Sequence, residues 1–276
     1  MKIYTLVEDY SGYESPFLGQ HGISFLIEYK GKKLLFDTGQ NEKPILYNMK
    51  LLGLEPGEID YIFLSHCHYD HTGGLLGLLK AIKKRIPIIA HPSIFRKHFV
   101  VKPYLRHVGV PFEKKEIEAT GELFLIATPF QIVEGLYSTG EIWEHEDFER
   151  TSLEVYTLRE GKIVKDELLD DMSIAVKTSR GLVIVSGCSH AGIVSIIKRA
   201  VEITGENRIR AVIGGFHLID ASEERIDLTL EEFKRLGVEE VYTGHCTGLK
   251  AEAAFLESYG DAFHKLHAGM VMEFED

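Results

Sequence analysis

The sequence predicts a layered α/β fold in which helices pack on the faces of β-sheets. Short apolar runs typical of strands alternate with longer stretches of helical periodicity. Residues 59–90 follow the order strand, helix, strand, which is one βαβ unit. The region after residue 173 repeats this order loosely, without the fixed period of about 20 to 50 residues that indicates a solenoid.

The first half of the chain opens with a hairpin, because the turn Lys30-Gly31-Lys32 joins two apolar runs. A helix that ends at Gly53 then leads into the βαβ unit. The elements predicted here are strands Ile3–Val7, Ile23–Tyr29 and Lys33–Asp37, helix Pro44–Leu52, strand Ile59–Leu64, helix Leu75–Arg85 and strand Ile86–Ala90.

The middle of the chain, from His98 to Arg150, has only short strands and polar stretches such as Glu113–Glu122 and Glu144–Glu149. This pattern predicts charged surface and an active-site loop. Regular elements return in the second half: strands Ser173–Thr178 and Leu182–Ser186, helix Gly192–Thr204, strand Arg210–Ile213, helix Thr229–Leu236, strand Glu239–Tyr242 and helix Lys250–Tyr259.

The charge balance argues against polyanionic partners. Of 276 residues, 31 are Lys or Arg and 42 are Asp or Glu, a net charge of −11 that repels phosphate backbones and anionic lipid headgroups. No apolar run approaches the length of a membrane span, and no leader segment is recognisable. We expect a cytoplasmic protein with no nucleic-acid or membrane partner. A phosphorylated small molecule stays compatible, because a metal cluster can invert the field inside a cleft.

Histidines mark the ends of the predicted strands. Open α/β sheets build their sites at the carboxyl ends of strands, where several histidines at successive ends indicate convergence on one point. Five of the 13 histidines lie just past an apolar strand: His66, His91, His190, His217 and His245.

The segment His66-Cys67-His68-Tyr69-Asp70-His71 is the strongest chemical signal. Three imidazoles and one carboxylate form a donor set that suits zinc and similar cations. Side chains two apart in an extended loop face the same way, so His66 and His68 can bind one ion while Asp70 and His71 reach a second. Cys67 then points towards the core.

This segment, His-x-His-x-Asp-His after a strand, resembles the signature of the metallo-β-lactamase superfamily. The strand ending in Asp37-Thr38-Gly39 is similar to the superfamily's upstream strand, and the resemblance implies that Asp37 orients the metal-binding histidines. Further segments resemble the branch of dihydropterin ribofuranosyl-aminobenzene-phosphate synthases of methanopterin biosynthesis: Gln20–Ser24, Thr139–Ile142, Ser186–Gly192, Gly214–Leu218 and Thr243–Gly248.

The resemblance implies a four-layer αββα sandwich, with residues 1–276 forming a single metallo-β-lactamase-like domain. It also implies an enzyme that holds one or two metal ions, zinc in first place and Mn²⁺ or Fe²⁺ as alternatives, and acts on a small molecule. The metal ligands expected are His66, His68, Asp70, His71, His190 and His245.

One departure from the superfamily pattern concerns the strand Leu182–Ser186. An aspartate that bridges two metals usually follows it, whereas this chain has Gly187-Cys188, and a histidine that usually precedes this hairpin is replaced by Asp170-Asp171. We infer that His190 replaces one missing ligand and that Cys188 or Asp171 supplies another. We therefore predict that Cys188 faces the metals.

The residues leave the reaction open. Bound metal lowers the pKa of water from about 15.7 to about 7 and polarises carbonyl or phosphoryl oxygen, which fits hydrolysis of an ester, lactone or phosphodiester. Asp70 would then orient the nucleophile, and His217 would donate a proton to the leaving group. The resemblance to the synthases implies instead that an arylamine is joined to a pterin methyl carbon with diphosphate as leaving group.

Two other hypotheses of function are alternatives to a small-molecule enzyme. The cysteines beside histidines keep open a non-catalytic redox or sensor module, in which protein ligands fill every coordination position; an open position favours an enzyme. A nuclease of the same superfamily is opposed by the acidic balance and by the lack of a basic stretch longer than Lys83-Lys84-Arg85.

The helix that begins after Ala191-Gly192 suggests where a phosphate could bind. Its free N–H groups and positive dipole end would point into the cleft and suit an anion. We therefore expect a substrate phosphate or diphosphate between the metals and this helix end.

Overall fold

Two seven-stranded sheets form the centre of the computed structural model, which describes residues 1–149 and 153–275. The helices are α1 Glu42–Leu51, α2 Tyr69–Thr72, α3 Leu75–Ile82, α4 Lys114–Glu118, α5 Ile193–Thr204, α6 Glu223–Arg235 and α7 Leu249–Tyr259. The strands are β1 Lys2–Val7, β2 Ser24–Tyr29, β3 Lys32–Phe36, β4 Tyr61–Phe63, β5 Pro87–Ala90, β6 His98–Val100, β7 Arg106–His107, β8 Glu122–Leu125, β9 Phe130–Val133, β10 Leu136–Ser138, β11 Val155–Arg159, β12 Lys162–Lys165, β13 Ile174–Thr178, β14 Gly181–Val185, β15 Ile209–Gly214, β16 Val238–Thr243, β17 Phe263–Lys265 and β18 Val271–Glu273.

The two large sheets pack face to face and carry helices on their outer faces. The first has the strand order β18-β1-β2-β3-β4-β5-β8, and the second has the order β17-β16-β15-β14-β13-β10-β9. Phe36 and Phe63 of the first sheet share one buried cluster with Val185 and Ile213 of the second. Separate clusters join the first sheet to α1 and α3 and the second sheet to α5, α6 and α7. These four layers confirm the predicted αββα sandwich.

Parallel pairing brings the functional strand ends together. Strands β3, β4 and β5 are parallel, as are β14, β15 and β16. Strand β14 is buried at every position, as expected for a strand covered on both faces. The loops after β4, β14 and β16 therefore emerge on one edge of the sandwich.

A third, four-stranded sheet with the order β12-β11-β6-β7 is built from two insertions. Strands β6 and β7 follow β5, whereas β11 and β12 come after β10, and β6 pairs with β11 in antiparallel register. We call this sheet the inserted sheet. Strands β6 and β7 lie in the region from His98 to Arg150, for which the sequence predicted only short strands, charged surface and an active-site loop, whereas β11 and β12 come after it. Arg150 itself lies outside the described residues.

Element boundaries differ from the sequence prediction for local reasons. Helix α6 begins at Glu223, well before the predicted Thr229, because the Ser222 hydroxyl caps it by accepting from the Arg225 N–H. Helix α3 ends at Ile82 because Lys83 adopts a left-handed conformation. The stretch Glu113–Glu122, predicted to be surface, holds α4 and the start of β8.

No helix in the described ranges is long and apolar enough to cross a bilayer. The expectation of a single domain over residues 1–276 stays a prediction.

Candidate metal centre

The loop after β4 places four of the predicted ligands. The loop bends at His66 and Cys67, His68 is extended, and α2 begins at Tyr69, so that Asp70 and His71 lie on its first turn. Gly73 and Gly74 are needed here because of close packing: a Cβ on Gly74 would lie 2.2 Å from the Thr38 carbonyl oxygen. This contact fixes the loop against the end of β3.

Three imidazoles form the first donor cluster. The His68 Nδ1 atom lies 3.1 Å from His66 Nε2 and 3.2 Å from His190 Nε2. Nitrogen ligands of a tetrahedral zinc ion, each at about 2.0 to 2.1 Å, are about 3.3 Å apart. These three atoms are therefore spaced as ligands of one ion.

The second donor cluster combines Asp70, His71, Cys188 and His245, whose ligand atoms all lie within 4.8 Å of one another. The Cys188 Sγ atom is 3.0 Å from His71 Nε2 and 3.5 Å from His245 Nε2. The Asp70 Oδ2 atom lies 3.5 Å and 3.4 Å from the same two nitrogens. All six predicted ligands thus come together at one edge of the sandwich, in two neighbouring clusters.

Cys188 lies between the clusters, since its Sγ atom also groups with donor atoms of His190 and His217. Cys67 lies in the buried cluster between the first sheet and its helices. The predicted orientations of both cysteines agree with the structure. Asp171, the alternative to Cys188, instead accepts a hydrogen bond from the Ala191 N–H at 2.7 Å and belongs to none of the donor clusters formed by the described residues.

Asp37 orients one histidine of each cluster. Its Oδ2 atom lies 2.7 Å from His71 Nδ1 and also accepts from the Ser65 hydroxyl, which in turn lies 2.8 Å from His66 Nδ1. All four residues are completely buried. The contacts leave the Nε2 atoms of both rings free to face the clusters, which is the role that the resemblance implied for Asp37.

His98 is a site residue that the sequence analysis missed. Its Nε2 atom lies 2.9 Å from His68 Nε2, and its Nδ1 atom lies 2.7 Å from Asp166 Oδ2. Arg96 pairs with Asp166 and with Asp170, whose carboxylate accepts from the Cys67 N–H. His98 is the first residue of the region of weak periodicity, and Asp166 lies between that region and the strand predicted at Ser173–Thr178, so the sequence offered no signal for either residue.

Asp9, at the end of β1, was also missed. Its Oδ2 atom lies 2.5 Å from His245 Nδ1, and its Oδ1 atom lies 2.9 Å from His21 Nδ1. His21 reaches the same rim of the site, with its Nε2 atom 3.5 Å from Asp70 Oδ2. The sequence indicated His21 only as part of the segment Gln20–Ser24, which resembles the synthase branch.

The two clusters differ in their electrostatics. Burial, reinforced by neighbouring histidines, lowers the pKa of His66 and His190 well below the usual value. Burial also lowers the pKa of His68 to about 3. At His71 burial acts in the same direction, but the Asp70 and Asp37 carboxylates outweigh it and raise the pKa. The first cluster thus presents neutral imidazoles, the form that binds metal.

His217 and His91, the other two strand-end histidines, lie in different surroundings: one lines the cavity and the other does not. His217 lines the cavity above the clusters, with its ring centroid 4.4 Å from that of His190, and adopts a left-handed φ of 43°. His91 belongs to neither cluster; it contacts Ser93 Oγ at 2.6 Å and Glu141 at 3.3 Å. Of the five strand-end histidines, His91 is the one with a structural role.

The prediction of a phosphate at the start of α5 is wrong. The Glu149 carboxylate already accepts from the N–H groups of Val194 and Ser195, at 2.8 and 2.9 Å, and from the Ser195 hydroxyl. The Ala191 N–H is bonded to Asp171. The helix end does bind an anion, as its dipole favours, but that anion is a side chain of the chain itself.

A cavity of about 490 Å³ opens above the clusters. Its lining includes donor groups of both clusters, namely His68, Asp70, Cys188, His190 and His245, so the donor groups are reachable from outside. Its volume lies in the range of small-molecule sites.

The αββα fold and the paired donor clusters define a protein with a candidate metal-binding site at the strand ends of a two-sheet sandwich. The profile of the metallo-β-lactamase superfamily matches residues 20–164. The chain belongs to the metallo-β-lactamase superfamily.

Individual relatives extend this result. The 7,8-dihydropterin-6-methyl-4-(β-D-ribofuranosyl)-aminobenzene-5′-phosphate synthase of Methanocaldococcus jannaschii is 48% identical over 99% of this chain and 97% of its own length. A crystal structure of a metal-dependent hydrolase of the β-lactamase superfamily superposes with a TM-score of 0.85, at 29% identity and complete coverage of both chains. Ribonuclease Z of Nanoarchaeum equitans is 32% identical, but over only 48% of this chain and 42% of its own. The similarity to a synthase confirms the prediction of an enzyme.

Proposed function

We propose that this chain is a zinc-dependent enzyme that condenses or hydrolyses a small substrate carrying a phosphate or diphosphate. His66, His68 and His190 would hold one ion, and Asp70, His71 and His245 would hold the second, with Cys188 between them. The observation that carries the proposal is the meeting of two donor clusters on the lining of one open cavity.

The donor chemistry favours zinc over the alternatives Mn²⁺ and Fe²⁺. Cys188, which lies between the clusters, would supply a soft thiolate, and soft ligands select zinc over manganese. Imidazoles suit zinc as well. When bound, the ions supply Lewis acidity towards a carbonyl or phosphoryl oxygen and neutralise charge on a leaving group.

The chain's own residues have separable tasks in this proposal. Asp70 would hold the second ion and orient the attacking group, because its carboxylate belongs to the second donor cluster and lines the cavity. His217 is placed to hold or donate a proton at the leaving group, since its ring faces the cavity without being part of the two main clusters. The apolar part of the wall limits access of water to the reacting atoms.

Condensation is the reaction that the relatives support best. The synthase is 48% identical over nearly the whole chain, and its name includes a phosphate group. The hydrolase structure is less similar in sequence, at 29% identity. Hydrolysis of a neutral ester or lactone is the alternative.

Two other classes of function have less support. A redox or sensor module with a closed coordination shell fits poorly with donor groups that line an open cavity. A nuclease is disfavoured by the net charge of −11 and by the partial coverage of the ribonuclease Z relative. The absence of a nucleic-acid partner and the cytoplasmic location stay predictions.

Metal analysis of protein purified without chelator tests the site. We expect two zinc ions per chain, falling to one in His190→Ala and in His245→Ala. His91, a strand-end histidine that lies outside both clusters and does not line the cavity, provides the control, since His91→Ala should keep both ions. Zinc below one equivalent in the unaltered protein, or equal loss in His91→Ala, would refute the assignment.

Diphosphate release tests the reaction. A pterin methyl diphosphate incubated with an arylamine should release diphosphate only when both substrates and zinc are present. Release without the amine would indicate hydrolysis. Turnover of neutral lactones or esters with none of the diphosphate would establish the alternative.

A further inference from the structure

The inserted sheet turns one face towards the cavity. Val155 of β11 pairs with Val100 of β6, and Val100 pairs with Arg106 of β7, so the three side chains form a cross-strand row on one face. All three line the cavity. His98, two residues from Val100, is on the same face and contacts His68.

Arg106 is the only Lys or Arg among the described residues that line the cavity. Its side chain is exposed and makes no hydrogen bond or ion pair with another described residue. The other charged groups of the lining are the carboxylates Asp9, Asp70 and Asp220 together with histidines. An anionic ligand arriving at this acidic surface therefore meets one uncommitted guanidinium.

The remaining wall is apolar. Val100, Val108 and Val155 come from the inserted sheet and the loop that follows it, and Ile219 comes from the loop after β15. A wall of branched aliphatic side chains suits the faces of a flat aromatic ring, whereas a guanidinium suits a phosphate because its N–H donors match phosphate oxygens in pairs.

We propose that Arg106 is the specificity residue that binds the phosphate of an aryl phosphate substrate, whose ring lies against Val100 and Val155 while its reacting end faces the donor clusters. The inference rests on the proposed function for its substrate class. It adds that the phosphate is recognised by the inserted sheet, away from the metals.

Calorimetric titration of the zinc-loaded protein with phenyl phosphate tests this assignment. Arg106→Ala should raise the Kd for phenyl phosphate on the order of tenfold or more, because a charge-assisted pair of hydrogen bonds is lost. Arg106→Lys should recover part of this loss, since it restores the charge but lacks the paired donors. Benzyl alcohol, which has a ring but no phosphate, should bind all variants equally.

Arg159→Ala is the matched control. Arg159 lies on β11 of the same sheet, is exposed, pairs with Glu167 at 3.4 Å and does not line the cavity. It removes the same charge, so its Kd for phenyl phosphate should stay within about twofold of the unaltered value. Circular dichroism verifies that each variant is folded. If Arg106→Ala does not fold, Arg106→Gln replaces it in the titration.

Equal Kd values for Arg106→Ala and Arg159→Ala would overturn the inference, as would a failure of the unaltered protein to bind phenyl phosphate. Zinc content is measured on the same samples. Two zinc ions per chain with no effect of Arg106→Ala would refute the role of Arg106 and leave the proposed function standing. Absence of zinc would refute the proposed function, while the titration would still measure the role of Arg106.

Discussion

Several residues at the strand ends hold backbone conformations that side chains other than glycine rarely adopt. Asp37, Ser189, His217 and His245 all have φ between 43° and 59°. Such conformations cost about 1 to 3 kcal/mol each and persist only where surrounding contacts fix them. At Asp37 and His245 those contacts are the hydrogen bonds that orient the donor groups, so the strain lies where the proposed site needs fixed geometry.

Replacing Asp37 tests this orientation. Asp37→Asn should weaken zinc binding about 10- to 100-fold, because the amide has one acceptor oxygen, whereas the carboxylate uses Oδ1 for the Ser65 N–H and Oδ2 for His71 and the Ser65 hydroxyl. Competition with a chromophoric chelator measures the affinity. Asp261→Asn, the same change at an exposed position, should leave zinc binding unaltered, and equal affinities in the two variants would contradict the role of Asp37.

The residues of the site divide into those the sequence predicted and those it could not. The histidines and Asp70 were predicted because they follow apolar strands or share one short segment. Asp9, His98 and Asp166 were not, because each acts through contacts between distant parts of the chain. His98 meets Asp166 across 68 positions and Asp9 meets His245 across 236, and no local pattern records such pairs.

At the scale of elements, the inserted sheet supports the first donor cluster as well as the cavity wall. His98 contacts His68 from strand β6, and Asp166 fixes the ring of His98 from the segment after β12. Because the sheet consists of two insertions, its placement depends on the pairing of β6 with β11. Sequence periodicity could not predict that pairing, since both strands are short.

Removal of His98 should affect one ion. His98→Ala should lower the affinity for the zinc ion of the first cluster about 10- to 100-fold, because His68 loses the contact that fixes its ring, and should leave the second ion bound. His107→Ala is the control, since His107 is exposed on β7 of the same sheet. Stoichiometric zinc titration distinguishes the variants; loss of both ions, or of neither, would refute this role.

Helix α5 is capped by a side chain from a separate segment. The buried Glu149 carboxylate accepts from two N–H groups of the first turn, an interaction that replaces the phosphate predicted there. The sequence pattern of small residues before a helix could not reveal this contact, because Glu149 lies more than 40 positions earlier.

Loss of this cap should lower stability without changing zinc content. Glu149→Gln should reduce the free energy of unfolding by about 1 to 2 kcal/mol, because an amide offers one acceptor atom where two are used. Urea denaturation measures the change. The exposed Glu144→Gln should have an effect within about 0.5 kcal/mol of zero. A Glu149→Gln variant as stable as Glu144→Gln would show that the cap contributes little.

At the scale of the whole molecule, each donor cluster combines groups from both large sheets. His66 and His68 follow a strand of the first sheet, whereas His190 follows a strand of the second, and the second cluster is divided in the same way. The two-sheet fold was predictable only through the resemblance of the metal-binding segment to the superfamily signature, because the alternation of elements indicates no more than a layered α/β fold. Edge strands such as β17 and β18, three residues each, were too short to be recognised.

Metal removal should therefore destabilise the whole fold. A ligand at about 100 times its Kd stabilises the folded state by about 2.7 kcal/mol, and a change of 1 kcal/mol shifts Tm by about 2 to 4 °C in a protein of this size. Dialysis against EDTA should lower Tm by about 5 to 10 °C, and zinc should restore it. Calorimetry checks the shift, with magnesium as the control ion; an unchanged Tm would mean that metal does not join the two sheets.

The position of Asp37 between His71 and the Ser65–His66 pair couples the two donor clusters. Capture of one ion fixes the carboxylate, and the fixed carboxylate holds a ligand of the other cluster in its binding orientation. We therefore predict that uptake of two zinc ions is positively cooperative. Given half an equivalent of zinc per site, the population should separate into empty and doubly loaded chains, with the singly loaded species scarce in a native mass spectrum.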